Sequence, residues 1–526
     1  MSADHPVSDL VRIRLEPLAV ELDVPRGSSL VAALAARGVE FPCGGTGECG
    51  GCGVRLLSGS LPAAEADSGV FTAEQLASGW RLACQARALS PLVLECAQWH
   101  MQILSHAEVV PSFPAVSSRE RVGVQSTSPR GLTIAIDLGT TTIAAQLIAP
   151  AGGVLAVETA LNPQAAFGSD VMSRIRAALD GHDLTDIDLT TPIRASLGQL
   201  VARLAPSRRD QINEVLLVGN TVMHHLFCDL SVEPLSHVPF ESPHLAEQRF
   251  APRDLSWDLP SACTIRFARC IGGFVGSDIL AGIVASGIAH GPQLSALVDL
   301  GTNGEIAIGN RNGIVCASTA AGPAFEAGSI RMGMRAVTGA VAYVSRSDGT
   351  LHATVIGDVE PRGICGSGLV DAVAAGLSTG DLLANGRIAN GAKLFSVVPP
   401  VVLYQSDIRE LQLAKGAIAA GFRLLLKRLG ASSRDVSAIY LAGAFGNYVQ
   451  INSAIRIGLL EAPHSVIHAA GNTALRGARM LLLTGSEPDL PPIEHVSLAA
   501  DPGFQDEFAI CMAFPEYDKI RMEIRS

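Results

Sequence analysis

A four-residue turn, Asp-Leu-Gly-Thr, occurs twice in this 526-residue chain, each time between apolar segments typical of β-strands. The first copy begins at Asp137, within LTIAIDLGTTTIAAQLI, and the second begins 162 residues later at Asp299, within LVDLGTNGEIAI. This separation is about the length of one domain. The repeat therefore predicts a duplicated α/β domain, each copy opening with a strand, a glycine turn and a second strand.

The chemistry of the two turns favours phosphate binding. An Asp at the end of a strand can hold Mg²⁺ directly or through water. The Gly, Thr and Asn residues that follow offer amides and hydroxyls to phosphate oxygens. One such turn alone is more often an ordinary β-turn, but two in the same context predict a cleft that grips a nucleotide from both sides.

Three further glycine-rich segments, at residues 218–225, 363–370 and 439–446, follow predicted strands. A helix that starts after such a turn can face an anion, and the flat LAGAFG turn could admit an adenine ring. For each segment alone, tight packing of strand against helix explains the glycines equally well. Glu305 and Glu326 are candidates for positioning a water or a metal, and a structural reading is at least as good for either.

Four cysteines have the spacing of an iron–sulfur site. Cys43, Cys49 and Cys52 lie in one loop with five glycines in ten residues, and Cys84 follows after 31 more. Three thiolates on a loop and a fourth returned by the fold can ligate the two irons of a 2Fe-2S cluster. A zinc site or buried free thiols are the alternatives, but zinc ligands usually come as two separated pairs. The other seven cysteines lack metal spacing and are predicted to be small buried side chains. A role for Cys365 stays open.

The rest of the pattern divides the chain. Residues 10–22 alternate as a β-hairpin, 28–37 have a helical pattern, and 54–57 and 92–96 have strand character. We therefore expect a β-rich unit over 1–104 and a Pro- and Ser-containing linker over 105–130. The first part of the duplicated region is predicted over 131–210 and a large C-terminal part over 211–526.

Charge and hydropathy exclude two classes of partner. A net charge of −11 and a pI near 5.6 argue against a surface for nucleic acid. The longest apolar run, Ile279 to Ala289, is too short to span a membrane, and the N-terminus lacks the pattern of a secretory signal. The expected location is the cytoplasm.

The motifs, in order, carry a resemblance that spans nearly the whole chain. A C-x5-C-x2-C…C unit and a linker precede IAIDLGTTT, VGNTVMHH, LVDLGTNGEI, AGPAFE, GICGSGLVDA and LAGAFG. This order resembles the reductive activators of corrinoid-dependent enzymes. The resemblance implies a multidomain fold, with an N-terminal β-grasp 2Fe-2S ferredoxin (α+β) followed by a duplicated α/β ATPase of the acetate and sugar kinase/Hsc70/actin superfamily.

The resemblance also implies an activity and its residues. The protein would use ATP and Mg²⁺ to return the Co(II) corrinoid of a methyltransferase system to Co(I), with one electron from an upstream donor. Cys43, Cys49, Cys52 and Cys84 would ligate the cluster. Asp137, Asp299 and Glu305 are the candidate catalytic residues. The candidate cofactor-binding residues are Gly139, Thr140, Thr141, Gly301, Thr302, Asn303, Gly366, Gly368, Gly443 and Gly446.

The alternatives are an ATP-gated electron donor to another low-potential enzyme and a redox-sensing protein that binds nucleotide. The partner would be a corrinoid protein rather than a nucleic acid or a membrane, and a homodimer is possible. The sequence does not identify the methyl donor or the electron source.

Overall fold

A computed structural model describes residues 10–16, 20–35, 39, 47, 52–96, 131–168, 170–180, 188–301, 303–347, 350–446, 448–485 and 487–516. Cys43, Cys49, Thr302 and the predicted linker 105–130 lie outside these residues.

The N-terminal unit is a five-stranded sheet in the order β2-β1-β5-β3-β4, with one face closed by helix α1. Inward Val11, Ile13 and Leu15 alternate with outward residues along β1, which pairs antiparallel with β2 and parallel with β5. The predicted hairpin, helix and strands are confirmed, although β5 lies at the centre of the sheet. The elements are β1 (Leu10–Glu16), β2 (Val20–Pro25), α1 (Leu30–Ala35), β3 (Gly53–Ser58), α2 (Asp67–Val70), α3 (Ala73–Ala77), β4 (Trp80–Leu82) and β5 (Leu92–Cys96).

A second unit has a six-stranded mixed sheet in the order β10-β11-β9-β6-β7-β8. Its central strands are nearly continuous apolar runs, as expected for a sheet covered on both faces. The elements are β6 (Leu132–Leu138), β7 (Thr142–Ile148), β8 (Val154–Leu161), α4 (Val171–Asp180), α5 (Thr190–Leu204), β9 (Ile212–Gly219), α6 (Thr221–Cys228), β10 (Gln248–Phe250), β11 (Thr264–Phe267) and α7 (Ser277–Ser286).

A third unit has another six-stranded sheet, in the order β21-β20-β12-β13-β14-β22, with smaller two- and three-stranded sheets inserted between β14 and β20. The strands and helices of this unit are β12 (Leu294–Leu300), β13 (Gly304–Asn310), β14 (Gly313–Thr319), β15 (Ala340–Ser347), β16 (Thr350–Val355), β17 (Gly363–Ile364), α8 (Gly366–Thr379), β18 (Leu394–Val398), β19 (Val401–Tyr404), α9 (Gln405–Arg428), β20 (Val436–Ala442), α10 (Gly443–Gly446), α11 (Ile451–Arg456), β21 (Ile467–Gly471), α12 (Thr473–Thr484), β22 (Ile493–His495) and α13 (Phe504–Met512).

The two six-stranded sheets share one topology, which confirms the duplication. The core order β11-β9-β6-β7-β8 of the second unit corresponds to β21-β20-β12-β13-β14 of the third. In both, the opening strand pairs antiparallel with the next strand and parallel with a later one. The predicted division at residue 210 runs through the first of these sheets, because that sheet contains strands from both sides of it.

Helices α7 and α12 lie between the two sheets, and each packs on the sheet of the other unit. Helix α12, from the third unit, packs on β6 and β9 of the second through Leu475, Ala478 and Leu482. Helix α7, from the second unit, packs on the third unit's sheet through Ile279 and Ile283. The apolar run that begins at Ile279 is therefore part of a helix buried between two sheets. In the described part of the chain, no helix is long and apolar enough to cross a membrane.

Candidate functional site

The two Asp-Leu-Gly-Thr turns are the loops of equivalent β-hairpins, β6–β7 and β12–β13. We call residues 137–142 the first hairpin and residues 299–304 the second hairpin. Asp137 lies beside Val218 of parallel β9, and Asp299 lies beside Ala442 of parallel β20. Both aspartates are therefore at the carboxyl ends of parallel strands, where open α/β sheets bind their ligands.

A helix start faces each hairpin aspartate. The Asn472 side chain caps α12 by accepting from Leu475 N, and its Nδ2 donates to Asp137 Oδ2 at 2.7 Å. The corresponding helix of the other unit is α7, which starts at Ser277 and Asp278. The Asp278 carboxylate acts electrostatically on Asp299 and Asp137. The first hairpin thus faces an amide and the second faces a carboxylate.

Burial and mutual repulsion keep these carboxyl groups weakly acidic. Burial raises the pKa of Asp137 to about 6, and the bond from Asn472 opposes this. Burial and then the charge of Asp137 raise the pKa of Asp299 to about 7. Burial and then the charges of Asp299 and Asp137 raise the pKa of Asp278 to about 8. These carboxylates repel one another at the ends of the two sheets, and a bound cation would reduce that repulsion.

Glu305 belongs to the same group of carboxyls. It lies opposite Asp299 in the β12–β13 ladder, it is 7% exposed, and it accepts from Ser318 Oγ at 3.3 Å. Burial, followed by the charges of Asp278 and Asp299, raises its pKa well above the ordinary value. The sequence candidates Asp137, Asp299 and Glu305 are therefore brought together.

These oxygen donors suit Mg²⁺ in their chemistry, because Mg²⁺ prefers carboxylate, phosphate and water oxygens. Among the described residues, however, no group of three or more His, Cys, Asp or Glu side chains is arranged to hold a metal by itself. An ion here would therefore need further ligands, such as phosphate oxygens and water.

Two asparagines in repeated Gly-Asn-Thr sequences reach the first hairpin. Asn220 caps α6 by accepting from Met223 N, and its Nδ2 donates to Thr140 Oγ1 at 2.9 Å. Asn472 bonds Asp137 in the corresponding way. Neither asparagine was named as a site residue, although Asn220 lies in the predicted segment 218–225. The second copy of Gly-Asn-Thr, at residues 471–473, was a signal that could have found Asn472.

Glycine is required at the turn that starts α10. Gly443 has φ +82°, and a Cβ there would lie 2.5 Å from Asp299 Oδ1 and 2.6 Å from Leu300 O. The turn therefore lies directly over the second hairpin. Phe445 in the same turn stacks on Phe325 with ring centroids 4.7 Å apart. An adenine ring could lie against this apolar corner.

Two other candidate glycines are explained by packing. A Cβ on Gly366 would lie 1.7 Å from Phe325 O, and one on Gly368 would lie 2.2 Å from Val341 O. Both are buried at the start of α8, next to Cys365. Protein atoms therefore occupy the space that each glycine provides.

The described part of the cysteine site lies at one end of the N-terminal sheet. Cys52 directly precedes β3 and Cys84 follows β4, and Ala83 N donates to Cys52 O at 3.2 Å. Gly47, with φ +87°, lies alongside Gln85, whose Nε2 donates to Cys84 Sγ at 3.5 Å. Two soft thiol donors and an amide donor to sulfur fit an iron–sulfur cluster. Cys43 and Cys49 are outside the described residues.

The remaining cysteines are buried thiols. Burial raises the pKa of the Cys96, Cys270 and Cys316 thiols to about 12 and that of Cys263 to about 11. A thiol with so high a pKa stays protonated and is a poor metal ligand or nucleophile.

Comparison with known families matches each unit in turn. The model for a 2Fe-2S iron-sulfur cluster binding domain matches residues 13–89, the RACo middle region matches 132–291, and the C-terminal ASKHA domain of RACo matches 293–524. The 2Fe-2S match confirms that the N-terminal unit is an iron–sulfur domain.

Relatives match over most of the chain. The corrinoid activation enzyme RamQ of Eubacterium limosum is 34% identical over 420 residues, or 72% of this chain and 70% of RamQ. A Co(II) methylated amine-specific corrinoid protein reductase of Methanosarcina barkeri is 28% identical over 390 residues, or 68% of this chain and 71% of that protein.

A solved structure has the same architecture. The reductive activator for corrinoid, iron-sulfur protein aligns over 96% of this chain and 98% of its own, with a TM-score of 0.63 and 26% identity. Together with the order of the matched domains, these similarities show that the chain belongs to the RACo-type family of corrinoid activation proteins.

Proposed function

We propose that this protein is an ATP-dependent reductive activator that returns the Co(II) corrinoid of a partner protein to Co(I). The observation that carries the proposal is that one chain joins a 2Fe-2S domain to two duplicated units whose hairpins bring buried carboxylates together. The names of relatives that match two thirds of the chain or more support the corrinoid as acceptor.

The reaction is a one-electron transfer. A cluster held by Cys43, Cys49, Cys52 and Cys84 supplies a one-electron carrier, which an upstream donor reloads after each transfer. Plant-type clusters have potentials near about −400 mV. A Co(II)/Co(I) couple about 200 mV lower would cost roughly 4.6 kcal/mol for one electron. Nucleotide binding can offset such a cost only by favouring one of two conformations.

The nucleotide would lie between the two hairpins. We assign Mg²⁺ and phosphate to Asp137, Asp299 and Glu305 together with Asp278, which the sequence did not single out. Thr140, Thr141, Asn303 and the glycines of the hairpins would contact phosphate oxygens, with Thr302 as a further candidate. Gly443 and Gly446 would lie near the adenosine.

We also propose revised domain limits. The iron–sulfur domain would occupy 1–104 and the linker 105–130, as the sequence suggested. Because β9 and β11 hydrogen-bond into the same sheet as β6, the boundary between the two ATPase units is better placed near residue 292 than at 210. The matched family regions, which end at 291 and resume at 293, support this choice.

Reduction of a purified Co(II) corrinoid protein, followed by the Co(I) absorption band, tests the function. The full chain with a reconstituted cluster and an excess of chemical reductant should form Co(I) with Mg·ATP and much less without it. Equal rates with and without ATP would refute ATP gating. Formation of Co(I) that does not require the cluster would refute the electron path.

A further inference from the structure

Three successive carbonyls of the first hairpin accept hydrogen bonds from one later segment of the chain. Asn162 Nδ2 donates to Gly139 O at 2.9 Å, and Asn162 N donates to Thr141 O at 2.9 Å. Between them, Arg174 Nη2 donates to Thr140 O at 2.6 Å. The carbonyl side of the turn is therefore fixed against the segment 162–174.

The geometry of the peptide bond sets the consequence. In a planar trans peptide the C=O and the following N–H point in opposite directions. Carbonyls of Gly139 and Thr140 that face Asn162 and Arg174 leave the amides of Thr140 and Thr141 directed away from that segment. The Thr140 hydroxyl accepts from Asn220, so its proton remains to be donated. Adjacent amides and hydroxyls of this kind form an anion-binding concavity.

The guanidinium that supports this turn is fully buried. Arg174 is 0% exposed, and its Nε donates to Gly168 O at 3.0 Å. Burial lowers its pKa to about 9, while the carboxylates of Asp170 and Glu326 act in the opposite direction. The side chain is therefore charged at neutral pH. A buried charge is costly unless opposite charge lies near it. Asp170 and Glu326 supply opposite charge, and a phosphate held by the first hairpin would add to it.

We propose that Asn162 and Arg174 are positioning residues for the nucleotide. They hold the carbonyls of the first hairpin away from the cleft, so that its amides face the phosphates, and Arg174 places a buried positive charge behind the turn. This inference rests on the proposed nucleotide site and adds two residues to it. Glu326, on the opposite unit, adds negative charge near Arg174.

A comparison of ATP with AMP distinguishes a positioning role of Arg174 from a general structural role. AMP lacks the β- and γ-phosphates, so its affinity depends less on the hairpin than that of ATP. Arg174→Met should weaken ATP binding by about tenfold, or about 1.4 kcal/mol, because it removes the charged donor that holds Thr140 O. It should change AMP binding by less than about twofold. Arg174→Lys keeps the charge and should lose less ATP affinity than Arg174→Met. Arg176→Met, on the exposed face of the same helix, is the matched control.

A second variant tests the turn without altering Arg174. Asn162→Asp keeps the acceptor for Gln164 N but replaces the Nδ2 donor to Gly139 O with an oxygen. It should also weaken ATP binding by about tenfold and spare AMP. Asn213→Asp, which introduces the same charge at an exposed position, should leave both affinities unchanged.

Calorimetric titration of the full chain with ATP and with AMP gives the outcome, at a temperature where circular dichroism shows each variant folded. Selective loss of ATP affinity in Asn162→Asp and Arg174→Met, partly restored in Arg174→Lys, supports the proposal. Equal losses for ATP and AMP, or no loss, would overturn it. If the unaltered protein binds neither nucleotide, the proposed function itself fails, and the two failures are thereby separated.

Discussion

At the scale of single residues, the site is asymmetric where the fold is nearly symmetric. The hairpin aspartates Asp137 and Asp299 occupy equivalent positions, but one receives a hydrogen bond from Asn472 and the other faces Asp278. Two carboxylates that share a buried position cannot both ionise without cost. Asp278 and Asp299 therefore repel each other beside the second hairpin, and a bound cation or a proton removes that repulsion.

This repulsion gives a prediction for pH. The pKa of Asp278 is about 8 in the fold, above the ordinary 3.8, so the protonated form is favoured in the folded state. The contribution of protonated Asp278 to the stability of the fold is complete below about pH 4 and is lost as the pH rises through 8. Without Mg²⁺ or nucleotide, Asp278→Asn should therefore stabilise the protein by about 1–2 kcal/mol at pH 8.5 and by less at pH 5.5.

Thermal melts at the two pH values measure this difference. Asp229→Asn, at an exposed position of the same unit, is the control and should show no such pH dependence. A gain for Asp278→Asn that is equal at both pH values would show that ionisation of Asp278 is not its source.

The converse change concerns the other hairpin. Asn472→Asp keeps an oxygen that can cap α12 but replaces the donor to Asp137 with a second carboxyl. We expect it to destabilise the nucleotide-free protein by about 1–3 kcal/mol at pH 8, and by less at pH 5, because the new pair must be ionised at the higher pH. Denaturant unfolding at both pH values is the measurement. Asn472→Ser also retains a cap oxygen but adds no carboxyl, so its loss of stability should depend on pH less than that of Asn472→Asp. Equal losses at both pH values for Asn472→Asp would contradict the explanation.

The residues that sequence reasoning found and missed differ in a physical way. Asp137, Asp299 and Glu305 were found because they belong to a local motif. Asn472 was missed because it is 335 residues from the Asp137 that it contacts, and only the packing of α12 brings the two together. Arg174 was missed because a charged residue on an amphipathic helix is normally exposed.

At the scale of elements, helices α7 and α12 make a close backbone contact beside the site. A Cβ on Gly477 of α12 would lie 1.9 Å from the backbone oxygen of Ala281 on α7. Since both helices start beside a hairpin aspartate, their separation fixes the distance between Asn472 and Asp278.

Gly477→Ala should therefore be strongly destabilising. Backbone atoms cannot move aside as a flexible side chain can, so we expect a loss of about 3 kcal/mol or more, together with weaker ATP binding. Denaturant unfolding measures the loss. Gly153→Ala, where no atom lies within 4 Å of the added Cβ, is the control, and comparable stability of the two variants would contradict the tight contact.

The cysteine loop is the other element with a direct test. Cys52→Ser should abolish the visible absorption of the reconstituted cluster and the electron paramagnetic resonance signal of its reduced form, because a hydroxyl is a poor substitute for a thiolate ligand. Cys96→Ala removes a buried thiol from the neighbouring β5 and should retain both signals. A normal cluster in Cys52→Ser would exclude Cys52 as a ligand.

Elements were predicted best where periodicity was strong. The helix expected within residues 28–37 is α1, Leu30–Ala35, and the hairpin strands lie where the alternation indicated. The limits of the units were harder to predict, since strand β9 joins a sheet whose strand β6 begins 80 residues earlier in the chain, and β11 joins the same sheet from still farther away. Hydrogen bonding between distant strands leaves no local pattern in the sequence.

At the scale of the whole molecule, the described residues of the iron–sulfur domain have a core of their own. It contains Ile13, Leu34 and Leu94, and it is separate from the cores of the two ATPase units. The ATPase units, in contrast, are joined through α7 and α12.

Two thermal transitions should therefore be separable by calorimetry. ATP at a hundred times its Kd should stabilise only the ATPase units, by about 2.7 kcal/mol. Removal of the cluster should lower only the melting temperature of the iron–sulfur domain. A single transition that responds to both treatments would show that the three units unfold together.

The difference between Asn472 and Asp278 also gives the cleft a direction. A duplicated fold has an approximate twofold axis, and a ligand turned end for end about that axis would meet nearly the same backbone. Because Asn472 donates to Asp137 and Asp278 adds a carboxylate near Asp299, the reversed ligand would meet a different charge at each end. The different side chains at the two helix starts thus make the pocket polar, so that binding and release distinguish one unit from its duplicate.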